Sequence, residues 1–480
     1  MASIAVFGFD TDARGWVADA DRRPAVHEVP SLDGTLRLDQ AIRIANARDQ
    51  GNIVRGRPGA VLEPRSVRDI QQMVRFCRQH RIPVAMRGQG HSTYGQSLTA
   101  GLVVDSRTLN RIHVIADDHA VVDAGVLWQD LVFAAFQVRL GPPVLAYLGL
   151  SVGGTLSMGG VGATNTEGLQ ADRVRALEVV TGAGEVVRCS MSEHRDLFEA
   201  VLGGVGQCGI ITKATVDLVP VKSMVRTYTL PYNDTASFVR DLRTLLGRGE
   251  LECVYNVSGL QGSSLSYGLT AHTFFEPPNP PDNAHLLRDL SLPPGTAMVT
   301  DSGYLDWALR VDVLVAFLRA MVSWDELIKP WFDVWLPDSA LEGYLGDVFP
   351  ALTPADVGPA GSVLLYPQRR STLTRPMCRV PDAAPDDWVY LFDILTTSTT
   401  PGPEPATPGP EPAFTRRMLA RNRRLFEQAR AVGGTRYLIS SVEFDREDWV
   451  QHYGTLWPGF VRLKQRYDPD AILSTGLGIF

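Results

Sequence analysis

The chain of 480 residues is poor in cysteine: Cys77, Cys189, Cys208, Cys253 and Cys378 are scattered widely and form no C-x-x-C pair. That spacing offers neither a zinc knuckle nor a disulfide framework. The nine histidines make no H-x-H or H-E-x-x-H arrangement, so no protein metal site is expected. Positive charge is not in excess either, since the net charge is −7 and the pI is near 5.8. This argues against nucleic acid or an anionic membrane as the main partner. No apolar run approaches the span of a bilayer. Met1 to Gly8 lacks the basic stretch of a secretory signal, and the apolar run Ile4 to Phe9 is broken by Gly8 and followed by Asp10 and Asp12, which predicts a cytoplasmic protein. What remains is ordinary for a soluble enzyme: 45% apolar and 21% charged residues in a length that accommodates two domains.

Glycine, by contrast, is concentrated. The stretch Arg87-Gly-Gln-Gly-His-Ser-Thr-Tyr-Gly-Gln96 lies between the apolar runs Ile82 to Met86 and Leu102 to Val104 and reads as strand, turn, strand, with Gly88 and Gly90 freeing the backbone to bend. Successive unobstructed N–H groups can converge on an anion such as a diphosphate, and His91 would then sit beside whatever that diphosphate carries. On ten residues alone, a glycine-rich surface turn with an incidental histidine is the favoured reading. Upstream, Ser66 with Asp69 three residues on signals a helix start, and Val67, Ile70, Met73, Val74 and Cys77 give that helix a buried stripe. With a short strand in Ile53 to Val61, this predicts a β-α-β unit. A second glycine-rich segment, Leu150 to Gly162, holds five glycines, too many for a regular helix or strand. It would let backbone approach a planar ring closely. Gly204-Val-Gly-Gln-Cys-Gly209 satisfies G-x-G-x-x-G, yet it follows a predicted helix, Asp196 to Leu202, and precedes a predicted strand, Ile210 to Val219. A dinucleotide fingerprint needs the opposite order, so no nicotinamide-binding domain is read there.

Other predicted elements are helices at Leu38 to Asn46 and Leu127 to Val138, a strand at Ala120 to Ala124, and a hairpin joining Ala176 to Thr181 with Glu185 to Cys189. After Pro220 the pattern changes. Asp234 caps a helix carrying Phe238, Leu242 and Leu245, and strands are predicted at Glu252 to Val257, Leu265 to Phe275, Pro330 to Leu336, Ser362 to Tyr366 and Trp388 to Leu395, with a helix over Leu305 to Met321. Together they predict a second α+β domain with an antiparallel or mixed sheet. The proline-rich stretches Glu276 to Pro281 and Pro401 to Pro412 read as exposed loops. Arg416, Arg417, Arg421, Arg423, Arg424 and Arg430 crowd one predicted helix whose core face is Met418, Leu419, Leu425 and Phe426, which predicts a solvated basic face.

The Arg87 to Gln96 stretch resembles the Arg-Gly-x-Gly-His-Ser-x-x-Gly-Gln signature of FAD-linked oxidoreductases of the vanillyl-alcohol oxidase or PCMH type, and the cytokinin dehydrogenases most closely. Ser151 to Val161, Val179 to Pro220, and the tail from Trp449 through Asp468-Pro to Gly476 and Phe480 are similar to that family in the same order. Pro330 to Asp333, Leu365 to Pro367 and Arg436 to Leu438 are weaker matches. The resemblance implies an α+β protein: a two-subdomain FAD-binding domain over 1–220, an inserted α+β substrate or cap domain of mainly antiparallel sheet over 221–434, and a C-terminal segment, 435–480, returning to the FAD domain. It implies FAD bonded covalently through His91 to the methyl on the flavin's benzenoid ring. Gly88, Gly90 and Ser92 would meet the diphosphate, and Gln89, Gln96, Ser151, Ser157, Val161, Ile211, Tyr437 and Ser474 would line the rest of the cofactor. The berberine-bridge relatives' second attachment point, a cysteine, corresponds to Tyr147, so a single bond is expected.

Departures from the family pattern bear on the substrate. The family's aspartate shortly before the second glycine block, which takes a proton from the substrate amine, is Ala146 here, and an alanine cannot act as a base. The terminal Pro-Gly-Gln becomes Thr475-Gly476-Leu477, and Phe-Arg-His-Gly becomes Asn165-Thr-Glu-Gly168. A hydride donor that leaves a cation behind must lose a heteroatom proton to some base. Asp333, where the family has a substrate-contacting asparagine, and Asp393 are each a carboxylate in an otherwise apolar strand, which is costly enough to need a reason. Tyr147 and Tyr366 are further candidates. The bland alternatives are salt-bridged structural carboxylates and core packing. The expected function is oxidation of an alcohol or amine on a small organic molecule, with electrons passed to oxygen or another acceptor. A cytokinin dehydrogenase with a relocated base is the nearer alternative, and a binding or cyclisation scaffold without net redox the further one.

Overall fold

The computed structural model describes residues 6–18, 23–261, 264–382, 387–402, 413–473 and 476–480. Helices and sheets are mixed in an α+β arrangement, and three larger sheets organise it. In a four-stranded sheet Thr35–Arg37, Ala60–Glu63, Leu102–Asp105 and Val84–Arg87 lie in that order, the last three parallel. The two strands flanking the glycine turn are therefore parallel neighbours, Val84 opposite Leu102, and the strand Leu102–Asp105 is laid between the two strands of the expected β-α-β unit. The strand read from Ile53 onward begins only at Ala60, because Arg57-Pro-Gly59 interrupts it. Between Ala60–Glu63 and Val84–Arg87 runs the helix Val67–Gln79, closed by the expected capping box of Ser66 and Asp69. Asp69 is fully buried and also accepts from the backbone N–H groups of Asp33, Gly34 and Arg65 at 2.7, 2.9 and 2.8 Å. Ile70, Met73, Val74 and Cys77 are fully buried beneath it.

A five-stranded antiparallel sheet follows, in the order Val186–Ser190, Val174–Val180, Ile210–Asp217, His119–Asp123, Ile112–Ile115, and it contains the predicted hairpin. The glycine-rich stretch beside it departs from expectation. It contains a short helix, Val152–Leu156, in which a glycine is needed for close packing: a Cβ on Gly153 would lie 2.6 Å from that of Ala124.

The third sheet has eight strands, antiparallel throughout: Met298–Gly303, Met224–Tyr232, Ser264–Phe275, Cys253–Gln261, Ser362–Arg369, Trp388–Leu395, Phe332–Pro337 and Thr435–Arg436. The first two of these were not legible as strands; Met298–Gly303 is an exposed edge with little apolar signal, and Pro231 interrupts the other. The helix expected over 305–321 is divided at Leu309 into Tyr304–Ala308 and Arg310–Val322. The helix Ala413–Ala431 forms as predicted, but its basic face is only partly solvated. Arg421 is buried and donates to Thr396 Oγ1 at 2.8 Å, while Arg423 and Arg430 pair with Asp448. Of the proline-rich stretch 401–412, residues 403–412 lie outside the described part. Among the described residues all five cysteines are buried free thiols, no side-chain cluster could hold a metal ion, and no helix is long and apolar enough to cross a membrane.

Candidate active site

The glycine turn is fixed by groups distant in sequence. Asp49 Oδ2 accepts from Ser92 Oγ at 3.0 Å and from the Gly95 N–H at 2.7 Å, and Asp49 Oδ1 accepts from the Gly51 N–H. Burial pushes the Asp49 carboxyl up to about 6 against those donors. From the other side, Gln96 Nε2 donates to the carbonyls of Leu438 and Ile439 at 3.0 and 3.2 Å, and Thr93 Oγ1 to that of Ile439. Gly90 has φ of +67° and rests directly on the Arg87 guanidinium, whose Nη2 would lie 2.1 Å from an added Cβ. Arg87 is buried and its Nη1 meets no protein acceptor, so a cation lies directly beneath the turn.

This turn forms one wall of a cavity of about 220 Å³ that opens to solvent at its mouth. Gly88, Gln89, Gly90, His91, Ser92, Gln96, Ser151, Ser157, Val161, Ile211 and Tyr437 all line it, as does Ala146. Ser474 lies outside the described residues. The cavity suits FAD on three observations. Its walls are bare backbone where glycines sit, and a Cβ at Gly88 would lie 2.1 Å from Ser151 Oγ. Gln170 Oε1 is buried on its lining with no protein donor, ready for a ligand N–H. Arg87 supplies positive charge directly behind Gly90, which lines the cavity.

Comparison with known proteins agrees with this geometry. A family model for an FAD binding domain matches residues 58–190, and one described as cytokinin dehydrogenase 1, FAD and cytokinin binding, matches residues 278–480. An uncharacterized oxidoreductase in the fasciation locus of Rhodococcoides fascians is 35% identical over 449 residues, covering 93% of this chain and 99% of the relative. Cytokinin dehydrogenase 7 of Oryza sativa subsp. japonica is 31% identical, covering 94% and 92%, and cytokinin dehydrogenase 2 of Arabidopsis thaliana is 30% identical, covering 94% of each. The chain belongs to the cytokinin dehydrogenase-like FAD-dependent oxidoreductases.

Within this family frame, His91 stands where the turn meets the eight-stranded sheet. Its ring lies against Tyr147, Trp331 and Trp324, at centroid distances of 5.3, 5.6 and 6.1 Å, and one side opens to the cavity. Loss of hydration first, and the Lys329 and Arg319 cations next, push its imidazole down to about 3, so it is neutral at ordinary pH. Lys329 is itself buried, donating to the carbonyls of Leu327 and Gln50 at 2.9 and 3.2 Å over the Trp324 ring, and burial pushes it down to about 7. Tyr147 packs on His91, and its phenol accepts from Arg319 at 3.3 Å. Asp49, Arg87 and Lys329 had not been singled out from sequence.

Asp333 and Asp393 are cross-strand partners, directly opposite each other in the antiparallel pair Phe332–Pro337 and Trp388–Leu395. Neither forms a salt bridge among the described residues, and Asp333 Oδ2 and Asp393 Oδ1 are buried without a donor. Burial pushes both carboxyls up, and each is in hydrogen-bond contact with the other. Tyr366 lies on the neighbouring strand, stacked on Tyr255 at 5.3 Å, with its phenol pushed up by burial.

Proposed function

We propose that the chain oxidises an alcohol or amine carbon of a small, partly apolar organic molecule, such as a secondary metabolite, using FAD attached through His91 alone. We further read 1–220 and 435–480 as the FAD-binding unit and 221–434 as an inserted substrate-binding cap. FAD, when bound, supplies a two-electron acceptor that takes a hydride from the substrate carbon and passes electrons to oxygen or another acceptor. The single observation that carries the reading is a neutral, buried imidazole on a glycine turn at the mouth of a cavity lined by both glycine-rich segments and Tyr437. A neutral imidazole nitrogen has the lone pair that bonding to the flavin's methyl requires, and Tyr147 where a cysteine would stand leaves a single attachment.

The chain's own residues divide the remaining work. Gly88, Gly90 and Ser92 with Arg87 hold the anionic end, Gln96 ties the turn to the segment behind Tyr437, and Trp331 and Trp324 exclude water around His91. Asp333, Asp393, Tyr366 and Tyr147 are the candidates for taking the heteroatom proton. A second reading, a cytokinin dehydrogenase with a relocated base, is favoured by the names of the relatives. Mass spectrometry of the acid-denatured protein tests the attachment: an FAD adduct on the wild type and none on His91→Ala is the expected result, and an adduct on both would refute it. Anaerobic bleaching of the flavin by a panel of alcohols, amines and a cytokinin separates the two readings. Turnover without any bleaching would favour instead a scaffold that uses flavin without net redox.

A further inference from the structure

The sheet registers bring chemistry together that no single segment displays. Val334 pairs with Arg436 and Trp335 with Thr435, and the Tyr437 N–H donates to the Asp333 carbonyl, so Tyr437, Asp333, Asp393 and Leu364 form one row across four adjacent strands. Side chains directly opposite in antiparallel strands share a face. Along the central strand, alternation puts Trp331 and Trp335 on that face too, and Trp331 touches His91 while Trp335 touches Tyr437 at 6.2 Å. The row therefore runs up to the cofactor cavity at Tyr437, which lines it. Leu364, Tyr366 and Tyr437 are only half-buried despite their place in the sheet, whereas Asp333 and Asp393 are buried.

At its centre are two carboxyl groups with no salt-bridged cation. Arg436 acts on Asp333 electrostatically but is directed to the opposite side of the sheet, stacked on Phe444 and Trp449 at 4.5 and 4.9 Å. The helices Asp338–Val348 and Ala413–Ala431 pack against these strands, and their buried cation, Arg421, reaches Thr396. From the other neighbours the titratable groups are the Tyr437 and Tyr366 phenols, with Arg310 beyond, held by Tyr255. Asp333 Oδ2 and Asp393 Oδ1 are buried without any donor.

Two buried carboxylates in hydrogen-bond contact, with no salt-bridging cation, do not both stay ionised. We propose that Asp333 and Asp393 share one proton and that this pair is the group that accepts the substrate's heteroatom proton, Asp333 as the acceptor and Asp393 as the positioning partner. The step balances: the C–H bond breaks with its electron pair going to the flavin, the O–H or N–H proton goes to the ionised carboxylate of the pair, and a C=O or C=N bond forms. The inference rests on the oxidative reading of the site and supplies the base that Ala146 cannot be.

The test uses FAD-loaded wild type, Asp333→Asn and Asp393→Asn, in which one hydrogen bond across the pair can survive, with bound yellow flavin and circular dichroism as fold checks. Infrared spectroscopy, which needs no substrate, should reveal the carbonyl stretch of a protonated carboxylic acid at neutral pH in the wild type, shifted or lost in either variant. Its absence from the wild type overturns the shared proton whatever the activity. For a substrate that bleaches the wild-type flavin anaerobically, reduction should slow about a hundredfold or more in Asp333→Asn. In Asp393→Asn the acidic limb of the pH profile should move to higher pH, because the Asp393 carboxyl is what holds Asp333 down against its burial. An unchanged rate and profile in both variants overturns the catalytic role while leaving the oxidative reading standing. Retention of the band with no bleaching by any alcohol or amine sinks that reading, and the proton-accepting role with it.

Discussion

Lys464 offers the sharpest test of how the C-terminal tail is tied to the cavity. Its buried ammonium, on the helix Trp457–Tyr467, donates to Asp468 Oδ2 at 2.8 Å and to the carbonyls of Leu473 and Gln207 at 2.7 and 3.0 Å. Asp468 is fully buried and accepts from the Ile472 and Leu473 N–H groups at 3.0 and 2.8 Å. Gln207 belongs to the loop whose Val205, Gly206 and Gly209 line the cavity, and Leu473 lines it too. One ammonium thus joins the tail to two parts of the cofactor wall. Lys464→Met keeps much of the apolar stem but leaves a buried carboxylate without its cation and two carbonyls without their donor. Removing one partner of such a pair costs about 3–5 kcal/mol, or roughly 6–10 °C at the ~2 °C per kcal/mol of large domains. Thermal unfolding followed by tryptophan and flavin fluorescence should register this fall, and the variant should incorporate less FAD. In a cycle with Asp468→Asn, the double variant should lose less than the sum of the singles, with about 1–3 kcal/mol of coupling. A Lys464→Met melting point within about 2 °C of wild type, or strictly additive costs, would refute the reasoning.

Three further outcomes follow from the geometry. Gly88→Ala puts a Cβ 2.1 Å from Ser151 Oγ, so the purified protein should be depleted of FAD, and Ser151→Gly in the same chain should restore uptake; unchanged flavin content in the single variant would count against the turn as a cofactor wall. Ser66→Ala should cost about 1 kcal/mol, whereas Asp69→Ala, which strands several backbone donors, should cost ~3 kcal/mol or more; equal melting points for the two would be the failing result. His452 is buried among Phe444, Trp449 and Tyr453, and burial with the Arg436 cation pushes its imidazole down to about 3. Its folded value lies below its unfolded one, so the unfolded chain takes up the extra proton and stability falls as pH drops from about 6.5 toward 3. The loss amounts to roughly 2 kcal/mol by pH 5, and His452→Phe should lose correspondingly less over the same interval in thermal melts at pH 7.5 and 5.

What could be read without coordinates was what local backbone chemistry dictates. The turn around His91 was legible because two glycines one residue apart meet a backbone demand that no other residue satisfies as cheaply. The helix after Ser66 was legible because a capping box is a four-residue event. The misreadings occur where a distant contact overrides a local rule. Val152–Leu156 is helical in spite of Gly153 and Gly154, because Gly153 lets it press against Ala124. Arg421 reads as one more solvated cation until the fold delivers Thr396 to its guanidinium. Asp49 and Lys329 sit in unremarkable sequence and acquire their roles only from Gly95 on one side and Gln50 on the other. The apolar strands around Asp333 and Asp393 signalled that each carboxyl needed a reason; that each is the other's partner depends on the register between strands about sixty residues apart, which periodicity does not encode.

The same distinction sorts the departures from the family pattern. Asn165, where the family has phenylalanine, is buried and bridges two strands of the large sheet, its Nδ2 donating to the carbonyls of Val254 and Pro367 at 2.9 Å each and its Oδ1 accepting from the Val254 N–H at 2.6 Å. Leucine there would match its size and satisfy none of those groups, so this departure is accounted for by assembly of the sheet alone. Ala146 gains no such partner. It lines the cavity beside the second glycine-rich segment, where the family pattern would have a proton acceptor. Asp333, standing where the family carries an asparagine, adds a carboxyl on the sheet side, opposite a second one. On the proposal that the carboxyl pair takes the substrate's proton, the base absent at Ala146 and the pair at Asp333 and Asp393 would form a compensating exchange, which leaves proton removal intact while presenting it to the substrate from a different direction. A difference in the substrate's pose, rather than in the reaction, would then separate this chain from the cytokinin dehydrogenases it resembles.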